Sequence, residues 1–345
     1  MEHKPMRIFH LDAGRKFFSV ASIKRILDSM AAAELTHLEL YLSDNQGLRF
    51  GLRDMTVTTA FGTYDLTPCL GDGYEQEDKG PDGTNAWHRE EDMEEILSYA
   101  AALGIEVIPV INMPGHMGAI LEHFPQLRYP GSDSSIELKD KEAVEFTLQI
   151  LHKYLAFFKS RGCKYFHLGA DEFANDVGTM GFDRIYRDGD MKYFVSFINR
   201  AISIVCDAGL IPMAFNDGIY YNDDKTTYGP IDNRLVVCYW IQGWNTYFPA
   251  DAAFLSKEGF GLVNAHHEFY CGMGMDTQNR VEKMAQYDPR LFHRASRIES
   301  PEGAMLCHWC DRAYADGPDG GTAAAERIAQ VIPAFGAAMD KFGFK

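Results

Sequence analysis

Short apolar runs with strand character alternate with amphipathic runs of helical period along most of the chain. That alternation constrains the fold more than any other feature, because it builds βα units around a parallel sheet. The strand-like runs are Arg7–Asp12, His37–Leu42, Ile105–Ile111, Lys164–Gly169, Ile211–Phe215, Leu235–Tyr239, Gly261–Ala265 and Ala304–His308. Helical periodicity marks Ser22–Ala33, Glu90–Ala102, Glu142–Ser160, Lys192–Ala208 and Ala323–Phe342. In the first of these, Ile23, Ile26, Leu27 and Met30 recur at the spacing of one helix face. Pro333 predicts a kink or boundary in the last. Residues 273–300 show only a modest helical pattern. Eight strand candidates with no linker between them predict one domain over residues 1–345, a closed (β/α)8 TIM barrel. An open doubly wound sheet fits less well, since no Gly-rich phosphate-binding fingerprint follows the first strand. Residues 50–88 read as a long polar insertion with turn signals at Gly71-Asp72-Gly73 and Pro81-Asp82-Gly83. A long loop at this end of a barrel is expected to help wall a site.

Composition narrows the partners. An apolar fraction of 46% supplies a sizeable core. The net charge of −16, from 33 basic and 49 acidic residues, disfavours nucleic acid and anionic membrane, which both reward basic patches. Seven cysteines are scattered; Cys307 and Cys310 are spaced like half a zinc site, but no second pair matches them, so core thiols are expected. Met1-Glu2-His3-Lys4-Pro5 leads almost directly into the first strand without an apolar stretch, and no run reaches the ~18 apolar residues of a membrane span. The expectation is a soluble, reduced, cytoplasmic protein.

The run Lys164-Tyr165-Phe166-His167-Leu168-Gly169-Ala170-Asp171-Glu172 carries the chemistry. A buried strand here ends in two adjacent carboxylates, and barrel enzymes keep their reacting groups at that end. The segment His167-Leu168-Gly169-Ala170-Asp171-Glu172 resembles the signature of glycoside hydrolase family 20, the β-N-acetylhexosaminidases. The resemblance extends from His10 to Asp311. Leu11-Asp12-Ala13-Gly14-Arg15 is similar to the family's opening segment, Ser43-Asp44-Asn45-Gln46-Gly47-Leu48-Arg49 to its second-strand motif, and Pro114-Gly115-His116 to its third-strand histidine motif. The family's frequent small N-terminal domain has no counterpart here. Three positions depart from its pattern: Tyr41 where a histidine is common, Phe215-Asn216-Asp217 in place of a Trp-containing fifth-strand end, and Gly272 where an aspartate often sits.

The resemblance implies a (β/α)8 enzyme that removes a terminal N-acetylhexosamine from a glycan, with retention and without metal or cofactor. It implies that Asp171 and Glu172 are catalytic. It further implies that Arg15 binds sugar hydroxyls, that Tyr270 bonds the acetamide and that Asp311 bonds the 4- and 6-hydroxyls, with His116 supporting Asp171. Of Trp240, Trp244 and Trp309, the resemblance favours Trp240 and Trp309 as pocket walls. Read from residue type alone, Arg15 equally suits a surface ion pair, Asp311 a surface charge, Tyr270 a half-buried aromatic, and the tryptophans core. Adjacent carboxylates on an extended segment point to opposite sides and are poorly placed to attack one carbon from both faces. The 2-acetamido carbonyl is therefore expected to act as nucleophile, Glu172 as acid and then base, and Asp171 as the anion that orients the acetamide. Glu172 is expected to have its pKa raised by burial, with Asp171 ionised. A metal-dependent barrel hydrolase or isomerase and a non-catalytic sugar-binding barrel are the alternatives; no His-x-His or His-Glu-x-x-His pattern supports the first.

Overall fold

The computed structural model describes residues 4–71, 86–178, 181–223, 225–243, 247–272, 277–293, 296–312 and 319–344. Eight parallel strands form its centre: β1 (Met6–Asp12), β2 (His37–Tyr41), β3 (Glu106–Met113), β4 (Tyr165–Gly169), β5 (Ile211–Phe215), β6 (Val236–Tyr239), β7 (Gly261–Asn264) and β8 (Gly303–Trp309). Each pairs with the next, and β8 pairs back with β1, setting Met6 opposite Gly303 and Leu11 opposite His308. The sheet is thereby closed, and the expected (β/α)8 barrel is observed. A helix follows each strand: α1 (Val20–Ala32), α2 (Glu90–Ala102), α3 (Lys141–Ser160), α4 (Met191–Asp207), α5 (Lys225–Tyr228), α6 (Ala252–Lys257), α7 (Thr277–Met284) and α8 (Thr322–Lys341).

The strands are mostly apolar and buried on both faces because both faces are covered. All seven residues of β1 are buried. Alternation sends Ile8 into the barrel interior with Ile108, Met213 and Val263, and sends Phe9 and Leu11 outward against the helices. Helix α1 begins two residues before the expected Ser22, because the Ser19 hydroxyl accepts the Ser22 N–H at 3.2 Å and caps it. Helix α8 runs through Pro333, so of the kink or boundary expected there the boundary is not observed. An internal proline costs about 3 kcal/mol. Burial of Ile328, Val331, Ile332 and Phe335 on the same helix outweighs that, at about 1.5–3 kcal/mol for each side chain.

The stretch 50–88 is not a plain loop. It contains a hairpin of Thr56–Thr58 with Thr63–Asp65, and Phe50, Leu66 and Cys69 are fully buried. The Tyr64 hydroxyl donates to Glu142 Oε1 (2.6 Å) and the Tyr154 hydroxyl to the Phe50 carbonyl (2.7 Å), fastening the insertion to α3. Both turn signals fall wholly or partly in 72–85, outside the described residues. All seven cysteines are free thiols, with Cys307 and Cys310 buried. No described helix is long and apolar enough to cross a membrane.

Candidate active site

The C-terminal ends of β1 to β4 bring one cation pair and a set of acids together. Arg15, just past β1, donates through Nη1 to Asp12 Oδ2 at 2.9 Å and lies 3.2 Å through Nη2 from Asp44 Oδ2. Asp44, after β2, also accepts from the Tyr41 hydroxyl at 2.7 Å and faces His116 Nδ1 at 3.3 Å. Burial alone would raise the Asp44 pKa; Arg15, His116 and Tyr41 together hold it well below the ordinary carboxylate range. Tyr41, which departs from the family pattern, is thus a hydrogen-bond donor to the buried acid.

The end of β4 is a tight, left-handed turn. Gly169, Ala170 and Glu172 have φ of 71°, 65° and 46°. A Cβ on Gly169 would fall 1.3 Å from Asn112 Oδ1, so only glycine fits there. This corrects the expectation of an extended segment with its acids on opposite sides. Both carboxylates instead converge on one nitrogen: His116 Nε2 lies 3.5 Å from Asp171 Oδ2 and 3.4 Å from Glu172 Oε2. Burial opposes charge on His116, but Asp171, Asp44 and Glu172 outweigh it and raise its pKa well above the ordinary value. The ring has three acids around it, and they favour its protonated form.

That cation also reverses the expected pKa order of the two adjacent acids. Burial pushes Asp171 up to about 6, with Glu172 adding to the effect and His116 opposing it. Burial would raise Glu172 too, but its close contact with His116, helped by the charge of Arg15, lowers its pKa. Glu172 keeps 30% of its side chain exposed, whereas Asp171 keeps 8%. In the unliganded pocket Asp171, not Glu172, is the acid that holds a proton more tightly.

These groups border a cavity of about 150 Å³ lined by Arg15, Asp171, Glu172, Phe215, Trp240, Tyr270, Trp309 and Asp311. Every expected site residue except His116 is in that lining; His116 stands behind the two carboxylates. Trp309 and Tyr270 make an edge contact with centroids 6.4 Å apart, and the Arg15 guanidinium lies 5.4 Å from the Trp309 ring. The Asp311 side chain, 74% exposed, sits at the rim, 3.7 Å from Arg15. Trp244 lies outside the described residues. Phe215 was not expected among the lining, nor were the roles of Asp44 and Asp217. Asp217, fully buried after β5, accepts from Trp240 Nε1 at 3.1 Å and from the Glu172 backbone N–H at 3.3 Å. The position of Asp44 and Asp217 just after strands was the available signal.

Three clusters among the described residues gather potential metal ligands: His116, Asp171 and Glu172; Glu39, His167 and Cys238; and His266, His267 and His293. In each of them at least one ligand atom is otherwise engaged or held in its protonated form. The acids around His116 favour its protonated ring. His167 Nδ1 accepts the Gly169 N–H (2.9 Å) and His266 Nδ1 the Glu268 N–H (3.1 Å), so in each neutral ring the proton is on Nε2 and the remaining nitrogen is a donor. Burial keeps the Cys238 thiol protonated.

A parallel barrel whose strand ends carry paired acids, a buried arginine and an aromatic-walled cavity has the architecture of a glycoside hydrolase. The model of the family 20 glycosyl hydrolase catalytic domain matches residues 5–302, and the chain belongs to that family. A β-hexosaminidase B of Pseudoalteromonas piscicida is 38% identical over 124 residues, which are 33% of this chain and 16% of that protein. A β-hexosaminidase of Akkermansia muciniphila is 28% identical over 63% of this chain and 46% of its own length. The aligned segment thus spans less than half of either relative. Among solved structures, a catalytic module of the pneumococcal exo-β-D-N-acetylglucosaminidase StrH superposes with a TM-score of 0.87 at 27% identity, covering 99% of this chain and 84% of that one.

Proposed function

We propose that this chain is an exo-acting, retaining β-N-acetylhexosaminidase that releases terminal N-acetylglucosamine or N-acetylgalactosamine, with the substrate's own acetamide as nucleophile. The observation that carries the reading is the convergence of Asp171 and Glu172 on His116 Nε2. Two carboxylates that touch one imidazole nitrogen lie on one wall of the pocket. They are not placed to approach an anomeric carbon from opposite faces, as an acid and a protein nucleophile about 5–5.5 Å apart do in ordinary retaining enzymes. A cavity of about 150 Å³ is small beside the roughly 300–1,000 Å³ of drug-sized sites, which supports a pocket for one terminal ring.

Glu172 protonates the departing oxygen and then activates water. Asp171 accepts from the acetamide N–H and stabilises the positive charge that grows on nitrogen as its carbonyl attacks. Tyr270 hydrogen-bonds the acetamide, Arg15 and Asp311 bind ring hydroxyls, and Trp240 and Trp309 stack on the sugar. Binding also restores the acid order that the reaction needs. A sugar in the pocket removes water from the exposed side of Glu172, which raises its pKa. An N–H donated to Asp171 favours its anion and lowers its pKa. His116, in contact with both acids, lets the proton shift between them. The chemistry needs no metal or organic cofactor, and the negative net charge suits a neutral glycan rather than a nucleic acid or membrane.

Turnover of aryl N-acetylglucosaminide, N-acetylgalactosaminide and unsubstituted glucoside tests the reading. Hydrolysis of either acetamido sugar at a rate at least about 10²-fold above the glucoside, unaffected by excess chelator, is expected. Equal rates on the glucoside would contradict it, and binding without turnover would favour the non-catalytic barrel.

A further inference from the structure

The fifth-strand end is one of the three places where this chain departs from the family pattern; Phe215 lines the cavity there, and the next two residues stand behind it. Asn216 and Asp217 are both fully buried. Asn216 Oδ1 accepts the backbone N–H of Trp240 at 2.9 Å and that of Ile241 at 3.3 Å, while its Nδ2 donates to the Ile241 carbonyl at 2.6 Å. The amide therefore holds the main chain on which Trp240 is mounted. Asp217 continues the same task one residue on. A single oxygen, Oδ2, takes the Trp240 indole N–H at 3.1 Å and the Glu172 backbone N–H at 3.3 Å.

The second contact matters because of where it acts. Glu172 sits at φ 46°, a left-handed conformation that a residue with a Cβ adopts only when its surroundings hold it there. No hydrogen bond to its own strand fixes that N–H; Asp217 supplies the acceptor from the neighbouring strand. The first contact sets the tilt of the indole, whose plane forms one side of the cavity. One buried carboxyl oxygen thus ties the acid to the aromatic wall against which the sugar would lie.

We propose that Asp217 is a positioning residue: through Oδ2 it fixes the backbone of Glu172 and the ring of Trp240 in one relation, so that a sugar stacked on Trp240 presents its glycosidic oxygen to Glu172. The inference rests on the glycosidase reading for its kinetic consequence but not for its structural one. The role is that of an acceptor and needs no charge. This agrees with the burial of Asp217 beside Asp171 and Glu172, which raises its pKa well above its ordinary value.

The test compares Asp217→Asn, which retains an acceptor oxygen of the same reach, with Asp217→Ala, which has none. Two readouts are taken. In protein labelled with ¹⁵N at tryptophan, the indole N–H signal missing from Trp240→Phe belongs to Trp240. That signal should shift and exchange faster with water in Asp217→Ala and return towards its wild-type position in Asp217→Asn. On an aryl N-acetylhexosaminide, displacement of the acid by a fraction of an ångström should lower kcat of Asp217→Ala by ~10²-fold, with KM raised by the loosened wall. Asp217→Asn should restore kcat to within about threefold of wild type, with the limbs of its pH profile unmoved.

A folded Asp217→Ala with an unshifted indole signal and kcat within that threefold range would overturn the inference. So would an Asp217→Asn as damaged as the alanine variant, because the carboxyl proton rather than the acceptor oxygen would then be what matters. Should Asp217→Ala not fold, the Trp240 indole signal of Asp217→Asn decides: retention of its position supports the clamp, and loss of it refutes the clamp. A wild-type protein inactive on every aryl glycoside would defeat the glycosidase reading alone, and the indole spectrum would still judge the positioning claim.

Discussion

Replacing His116 by glutamine removes the cation on which Asp44, Asp171 and Glu172 converge while leaving a side chain that can donate one hydrogen bond. The three contacts lie at 3.3, 3.4 and 3.5 Å. At such distances a unit charge pair is worth about 5 kcal/mol for an effective dielectric near 20. Most of that offsets the cost of burying the groups, and the contact to the partly exposed Glu172 is weakened by solvent. Breaking a buried pair by removing one partner costs about 3–5 kcal/mol, and that is the expected loss of unfolding free energy at pH 5.5. Its pH dependence is the sharper check. The His116 pKa is raised from 6.5, so its stabilisation is fully present below 6.5 and is lost as pH rises towards the folded value. Asp44 is depressed from 3.8, so its stabilisation is present above 3.8 and is lost as pH falls through the folded value. The pair is therefore worth most between these two limits. Above 6.5 the gap between wild type and His116→Gln should narrow by about 1.4 kcal/mol per pH unit until the folded imidazolium loses its proton. Urea unfolding of both proteins from pH 5 to 9 measures this. A gap below about 1 kcal/mol at pH 5.5, or one that does not change with pH, would refute the picture of a buried imidazolium.

Two further outcomes follow from the acids. Glu172→Gln should lower turnover by ~10²–10⁴-fold for substrates with poor leaving groups and less for activated aryl groups in the first step; equal loss for both would remove Glu172 from the acid role. With Asp171 pushed up to about 6 in the free enzyme, the pair gives up its shared proton near that pH, so kcat/KM should fall above it. Because bound sugar raises the Glu172 pKa, the corresponding limb of kcat should lie at higher pH, and coincident limbs would argue against a proton that moves on binding.

The barrel was legible because each strand is a short, mostly apolar run and each long helix keeps one apolar face. Helix α2 and strand β5 have the predicted limits, Glu90–Ala102 and Ile211–Phe215. Pro333 does not end helix α8, because burial of the helix's apolar face outweighs the local cost of the proline. The cavity residues were legible as polar or aromatic groups directly after strands, but their relations were not. An extended β4 end was assumed, although Gly169 was the residue that permits the left-handed turn. The convergence on His116 depends on that turn, and so does the reversal of the Asp171 and Glu172 pKa order. Asp217 gave a single-residue signal, an acid after a strand, that pattern alone does not separate from a solvated charge. Its role depends on partners 45 and 23 residues away in the chain.

The most direct measurement of the central claim is the rate of the first chemical step on aryl N-acetylhexosaminides whose acetyl methyl carries zero, one, two or three fluorines. Fluorine draws electrons from the carbonyl oxygen, so an acetamide that attacks the anomeric carbon does so more slowly with each substitution. The account predicts a progressive fall through the series, and for Asp171→Asn a parallel line at lower rates, since the growing charge on nitrogen has lost its anionic partner. A flat series with chemistry rate-limiting, together with a glycosyl ester trapped on an aspartate or glutamate such as Asp217 or Asp311, would contradict it.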